Sequence, residues 1–180
     1  LAAITGAQVL GNPLLEDDGF QDVAFQPHKS FSHNEVFSTE EFTLRAIHTP
    51  GHVDNHLCYL LEEDGLLITG DHIMQGSTVV IIPPHGDMQD YIASLKLLLD
   101  YPLKSLAPGH GHLIDTPIKE IEGMIAHRLG RESKVIKTLT GLAAQTLEVL
   151  TPKVYDDVDP ALFPIARHSL LAHLIKLKKS

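Results

Sequence analysis

The chain has 180 residues, of which 43% are hydrophobic and 21% are charged, and its formal net charge is −9. This composition is typical of a soluble globular protein with enough apolar residues for a core. No apolar run approaches the ~18 residues that a membrane-spanning helix needs, so we expect no membrane partner. The single cysteine, Cys58, excludes an internal disulfide and indicates a reducing compartment, and its strand-like surroundings predict a buried thiol.

Charge is distributed unevenly along the chain. Residues 1–126 contain 5 Lys and Arg against 18 Asp and Glu, whereas residues 127–180 contain 9 against 5, so the balances are −13 and +4. An acidic part joined to a basic part favours a polyanion that is bound by the basic tail. The alternative is that the terminal lysines only stabilise the C-terminal end of a helix.

The predicted elements of the acidic part are short strands that end in glycine-containing turns. Residues 1–6 are typical of the last turn of a helix ended by Gly6, and a strand is expected at 8–10. Residues 42–48 alternate apolar and polar side chains and predict a second strand. Residues 56–61 and 66–69 flank a turn that contains Asp64 and Gly65, and they predict a β-hairpin.

Helices dominate the predicted structure after the hairpin. Helical spacing of apolar residues predicts a helix over 90–99, and a short strand over 103–107 is expected next. Thr116 and Pro117 indicate the start of a further helical segment. Beyond residue 127 we expect three helices: one with Val135, Ile136, Leu139 and Leu142 on its apolar face, one over 143–150 closed by Pro152, and one over 164–178.

Three polar residues follow strand-like runs at glycine-containing turns. His52, Asp71 and His110 stand in the segments His-Thr-Pro-Gly-His (48–52), Thr-Gly-Asp-His (69–72) and Pro-Gly-His-Gly (108–111). Imidazole and carboxylate groups are zinc ligands, and a carboxylate between two histidines suits a two-metal hydrolytic site. The chain has 12 histidines, however, and several of them must be ordinary surface or core residues. Spacing alone leaves both interpretations open.

These segments resemble the motifs of the metallo-β-lactamase superfamily. Residues 48–52, followed by 56–59 and 68–71, look like its third and fourth motifs, and residues 108–111 look like its fifth. Over roughly residues 40–180 the chain most resembles lactamase-like hydrolases and endoribonucleases that append a small winged-helix domain. The resemblance implies an α/β fold: the C-terminal part of an αββα sandwich over 1–126, then a small helical, winged-helix-like domain over 127–180 that stops before its wing.

The resemblance also implies roles for individual residues. His52 would bind the first of two zinc ions, Asp71 would bridge the two, and His110 would bind the second. His56 would orient a ligand or Asp71, and an ordinary strand histidine is the alternative for it. We expect His72 to face away from the site, because successive side chains of an extended chain point to opposite sides. Structural or surface roles are expected for four further histidines: His33, His85, His112 and His127.

One motif of the family is missing from this sequence. The leading His-x-His-x-Asp-His segment supplies four metal contacts in the family, and residues 110–115 are only a partial lookalike. We therefore expect a fragment that is inactive alone, whose parent protein is cytoplasmic, or mitochondrial if a targeting segment precedes residue 1. A homologue that has lost its metal site is the competing explanation.

Three functions remain open for the parent protein. The family resemblance and the basic tail favour a zinc-dependent endoribonuclease or phosphodiesterase that acts on single-stranded RNA through a metal-bridging hydroxide. The segment from His52 to Tyr59 favours a thioester or ester hydrolase similar to glyoxalase II. The missing motif favours a non-catalytic interaction module. A true β-lactamase is not expected, and the sequence is compatible with a homodimer.

Overall fold

A computed structural model describes residues 2–14, 16, 19, 21–141 and 143–179 of the chain. Its strands are β1 (Val36–Ser38), β2 (Thr43–His48), β3 (Leu57–Leu61), β4 (Leu66–Gly70) and β5 (Ser105–Pro108). Its helices are α1 (Ala2–Thr5), α2 (Met88–Leu98), α3 (Pro117–Leu139), α4 (Leu147–Val154) and α5 (Phe163–Lys179), with a 3₁₀ turn at Pro160–Leu162. None of the helices in this described part is long and apolar enough to cross a bilayer.

The five strands form one sheet in the order β1-β2-β3-β4-β5. The first four are antiparallel neighbours, and Gly65, at φ +64°, closes the predicted hairpin between β3 and β4. Strand β5 pairs in parallel with β4, which requires a crossover connection, and α2 lies in that connection. The C-terminal ends of β4 and β5 therefore meet at the same edge of the sheet, where Asp71 and His110 follow.

Helices cover one face of the sheet. Alternate residues of the strands, such as Cys58, Leu60 and Leu67, are buried there against helix residues that include Tyr91 and Leu95. On the opposite face Ile68 is 43% exposed, although it lies between two buried neighbours in the same strand. Strands β3 and β4 thus bury one side chain of every two, whereas β2 buries two consecutive residues, Ala46 and Ile47. The α/β architecture predicted from the sequence is confirmed.

The helical tail has a small core of its own. Its buried residues come from the C-terminal half of α3, from α4 and from α5: Val135, Leu150, Val154, Tyr155 and Leu170. Helix α3 passes without a break through residues 126 and 127, where the sequence analysis divides the chain. That division remains a prediction. Leu142, assigned to the apolar face of the first tail helix, lies outside the described residues.

Three details of the predicted elements are wrong. Residues 8–10 form no strand, because Leu10 makes only an isolated bridge with Lys29. Helix α4 begins and ends about four residues later than predicted and contains Pro152, since Val154 and Tyr155 beyond the proline are buried in the tail core. Ile136 is 50% exposed and does not belong to the buried face of α3.

Candidate functional site

The turns that follow β4 and β5 are hydrogen-bonded to each other. The backbone N–H of Gly109 donates to Gly70 O over 2.8 Å, and the N–H of Gln75 donates to His110 O over 3.3 Å. As a result His110 Nε2 lies 3.5 Å from Asp71 Oδ1. Two of the three predicted ligands, 39 positions apart by residue number, are thus brought together at the sheet edge.

Close packing leaves no room for a side chain at Gly109. A Cβ there would lie 2.9 Å from Asp71 Oδ1 and 3.2 Å from the backbone C and O of Gly70. The absence of a side chain therefore lets the turn after β5 approach the carboxylate. The glycine of the Pro-Gly-His segment serves this approach and not a left-handed backbone, because its φ is not positive.

His52 is held by the turn that follows β2. Gly51, at φ +130°, packs so closely on α2 that a Cβ would lie 2.3 Å from the backbone N of Tyr91. The carbonyl of Gly51 also accepts a hydrogen bond from the N–H of Asp87 over 2.9 Å. His52 Nδ1 lies 3.0 Å from Val80 O. Since a carbonyl only accepts, Nδ1 carries the proton, and the lone pair of the neutral ring is on Nε2.

This tautomer of His52 suits metal binding. Histidine ligands commonly donate their other ring N–H to a backbone carbonyl, which orients the ring and makes the free nitrogen more basic. The segment that supplies the carbonyl is itself held by the helical tail, because Arg128 Nη2 donates to Val79 O and the N–H of Ile81 donates to Ser169 Oγ. The tail therefore supports the segment that orients His52.

His52 and Asp71 line the same cavity of about 350 Å³. The remaining lining residues are Gln21, Val53, Ile82, Pro83, Pro84 and His85. His110 is not among them, and within the described ranges no three His, Cys, Asp or Glu side chains converge closely enough to hold a metal ion. The three predicted ligands thus have the right donor chemistry and a common location, but they do not by themselves form a complete metal site.

His56 is part of a buried hydrogen-bond chain. Its Nδ1 lies 2.8 Å from Thr49 Oγ1, the Thr49 hydroxyl donates to Cys58 Sγ over 3.3 Å, and the Cys58 thiol donates to Thr69 O over 3.8 Å. Because the Thr49 hydroxyl proton points to sulfur, the ring of His56 donates from Nδ1, which leaves the lone pair on Nε2. Burial, with the nearby His52, lowers the pKa of His56 to about 4. The ring is therefore neutral at physiological pH.

His72 and His85 differ in whether they line the cavity of Asp71, and the sequence analysis predicts this for His72 only. His72 is fully buried, its ring centroid lies 4.9 Å from that of Tyr91, and it does not line the cavity of Asp71. His85, expected to be structural or on the surface, lines that cavity, and its Nδ1 lies 3.3 Å from Asp54 Oδ2. The only local signal for His85 was its position between two prolines and a glycine, which marks a rigid turn without indicating what it faces.

Comparison with known families matches two parts of the chain. Residues 4–110 match the family described as the metallo-beta-lactamase superfamily. Residues 146–180 match the beta-lactamase associated winged helix domain. Both components of the family resemblance are thus confirmed, and the second match covers α4 and α5.

Individual relatives agree with this assignment. The chain is similar to the beta-lactamase-like protein 2 homolog of Drosophila melanogaster, with 33% identity over 160 residues that cover 88% of this chain and 52% of the relative. It is also similar to a thioesterase of Emericella nidulans, with 36% identity over 112 residues that cover 62% of this chain and 32% of the relative. The chain therefore spans at most about half the length of these relatives.

A solved structure shows the same fold. A metallo-beta-lactamase family protein from Thermus thermophilus superposes with a TM-score of 0.73 at 25% identity. The superposition covers 86% of this chain and 50% of that protein. Most of this chain thus shares its fold with a member of the same family.

Proposed function

Since the chain belongs to the metallo-beta-lactamase superfamily, we propose that the whole protein is a metal-dependent hydrolase whose site includes His52, Asp71 and His110. The observation that carries the proposal is the approach of His110 Nε2 to Asp71 Oδ1, 3.5 Å apart, beside a cavity that Asp71 shares with His52. A histidine and a carboxylate from two neighbouring strand ends are the donors that a hydrolytic metal centre uses.

The chain's own residues would prepare this site for a metal. The Nε2 lone pair of His52 is available because Nδ1 is engaged by Val80 O, and the carboxylate of Asp71 supplies the negative charge. Neutral His56 adds no competing positive charge beside them. Zinc, when bound, would act as a Lewis acid and activate water, which removes the need for a protein nucleophile.

We infer that the substrate is a thioester or ester. The cavity beside Asp71 has apolar walls formed by Val53, Ile82 and the two prolines, which suit an acyl group. The similar protein from Emericella nidulans is named as a thioesterase. This proposal places the thioester or ester hydrolase ahead of the endoribonuclease, whereas the basic tail favoured the endoribonuclease in the sequence analysis.

The charges of the tail explain this reversal. Most of its cations are paired within the described chain, through the ion pairs Arg131–Asp157, Lys134–Asp156, Arg167–Glu148, Lys176–Glu132 and Lys179–Asp87. To contact these five of the tail's nine cations, a phosphate backbone would have to displace their carboxylates, so fewer cations are accessible to RNA than the sequence alone indicates.

The test compares Asp71→Asn with the intact full-length protein on an acyl thioester of N-acetylcysteamine and on a single-stranded RNA oligonucleotide. We expect thioester turnover that falls on the order of a hundredfold or more in Asp71→Asn, together with a loss of bound metal. Asp115→Asn is the matched control, because Asp115 is an exposed carboxylate that does not line the cavity of Asp71.

The outcomes separate the alternatives. Unchanged thioester turnover in Asp71→Asn would remove Asp71 from the mechanism. Cleavage of RNA without thioester hydrolysis, lost in Asp71→Asn, would establish the endoribonuclease in place of the thioesterase. Absence of both activities in metal-loaded protein would favour the non-catalytic module.

A further inference from the structure

A second cavity lies between the helical tail and the sheet domain. Its volume is about 270 Å³, comparable to the share of roughly nine water molecules in the liquid. It is bounded by residues 77–80, by α3 and by the chain from Tyr155 to Ser169, and it shares no lining residue with the cavity of Asp71. It is therefore a separate space at the boundary of two structural units, a common position for ligand sites.

Arg128 brings a buried positive charge to this cavity. The residue is 4% exposed, its Nη2 donates to Val79 O over 2.5 Å, and its guanidinium lies 5.1 Å from the ring centroid of Tyr91. Its Nε has no hydrogen-bond partner, and no carboxylate of the described residues forms an ion pair with it within 4.0 Å. A buried charge is normally paired with an opposite charge, but the described residues provide no counter-ion for this guanidinium.

The second arginine of the cavity differs from Arg128. Arg131 is paired through both terminal nitrogens with the carboxylate of Asp157, at 2.6 and 3.0 Å. It also lies over the ring of Tyr155, 4.4 Å from the centroid. The hydroxyl of Tyr155 is buried and has no partner in the described structure. Arg128 and Tyr155, which both line the cavity, thus each have a buried donor without an acceptor: Nε in Arg128 and the hydroxyl in Tyr155.

The rest of the wall is mainly apolar. Val79, Val158, Leu162, Ile165 and Ala166 line it together with the polar residues. We propose that this cavity binds a small molecule that carries an oxyanion, a carboxylate or a phosphate, on an aliphatic body. The oxyanion accepts from Arg128 and Tyr155, and the aliphatic body packs on the side chains of α5. This ligand site goes beyond the proposed hydrolase site and does not depend on it.

The experiment measures binding by calorimetry to the full-length, metal-loaded protein. The probes are octanoate, octyl phosphate and octanol, which share an aliphatic chain and differ in their polar group. We expect at least one of the two anions to bind in a 1:1 ratio and octanol to bind about tenfold or more weakly, because a charge-assisted hydrogen bond is lost. The anion that binds more tightly identifies the class of oxyanion.

Variants locate the binding. Arg128→Gln should weaken anion binding by about tenfold or more, whereas Lys119→Gln, which removes an exposed charge from the same helix, should not change it. Octanol binding as tight as that of the anions, or a folded Arg128→Gln protein with unchanged affinity, would overturn the proposal. A failure of both anions to bind the unmodified protein would also overturn it.

A third variant covers the case in which Arg128→Gln does not fold. Ala166→Leu narrows the cavity without changing its charge, since Ala166 lies in the wall. Loss of anion binding in this variant supports the proposal, and retention of full affinity overturns it.

Discussion

Gly109→Ala tests whether the contact between the turns after β4 and β5 positions Asp71. The new Cβ would lie 2.9 Å from Asp71 Oδ1, whereas ordinary contact begins at 3.4 Å. The carboxylate must therefore move by about 0.5 Å, a displacement on the scale that disturbs a prepared site. Because φ of Gly109 is not positive, alanine itself adopts the backbone conformation without strain.

The two consequences of this substitution differ in size. The free energy of unfolding should fall by about 1 kcal/mol, because the end of the exposed Asp71 side chain gives way and the backbone of Gly70, 3.2 Å from the new Cβ, must shift slightly. Metal affinity should fall by about 10- to 100-fold, the usual effect of displacing a ligand through its surroundings. Zinc competition with a chromophoric chelator measures the affinity, and urea unfolding of the same protein measures the stability.

Gly123→Ala provides the matched control. Gly123 lies in α3, and no atom lies within 4 Å of the position that its Cβ would occupy. This substitution should stabilise the protein by about 0.5–1 kcal/mol and leave zinc affinity unchanged. The reasoning is refuted if Gly109→Ala binds zinc as tightly as Gly123→Ala does, because the contact at Gly109 would then not position a metal ligand.

Two buried titratable groups yield the remaining predictions. Burial, with the nearby charge of Arg128, lowers the pKa of His173 from 6.5 to about 4. Between these two values the unfolded state binds more protons than the folded state, so the free energy of unfolding falls on acidification. His173→Leu should reduce that pH dependence of urea unfolding by up to about 1.4 kcal/mol per pH unit, and an unchanged dependence would contradict a neutral buried ring. Burial raises the pKa of the Cys58 thiol to about 12, so iodoacetamide at about pH 8 should label it far more slowly in folded than in urea-unfolded protein; equal rates would contradict its burial.

Local patterns predicted the elements that position the candidate site. The strands before His52, Asp71 and His110 are where alternating or continuous apolar runs placed them, and the hairpin turn at Gly65 formed as its Asp-Gly pair indicated. These features depend on neighbours within a few residues, which a sequence displays directly. The same holds for Cys58, which an apolar strand buried as predicted.

Long-range contacts account for the failures. Helix α4 includes Pro152 because Val154 and Tyr155 pack into the tail core, a gain that the local pattern does not contain. His85 lines the same cavity as Asp71, although no motif joins the two in the sequence. Ile136 continues an apolar pattern along α3 but is 50% exposed.

By itself the sequence determined the family, the strands that precede the candidate site, and the candidate donor residues that follow them, because motifs and periodicity are properties of neighbouring residues. Tertiary structure alone decided that Asp71 meets His110 and that Val80 O sets the tautomer of His52. It also decided that Arg128 has no carboxylate partner among the described residues. The basic tail illustrates the difference: the sequence shows which of its residues are charged, but not which of them form ion pairs. An ion pair such as Lys179–Asp87 depends on which surfaces the folded chain brings together.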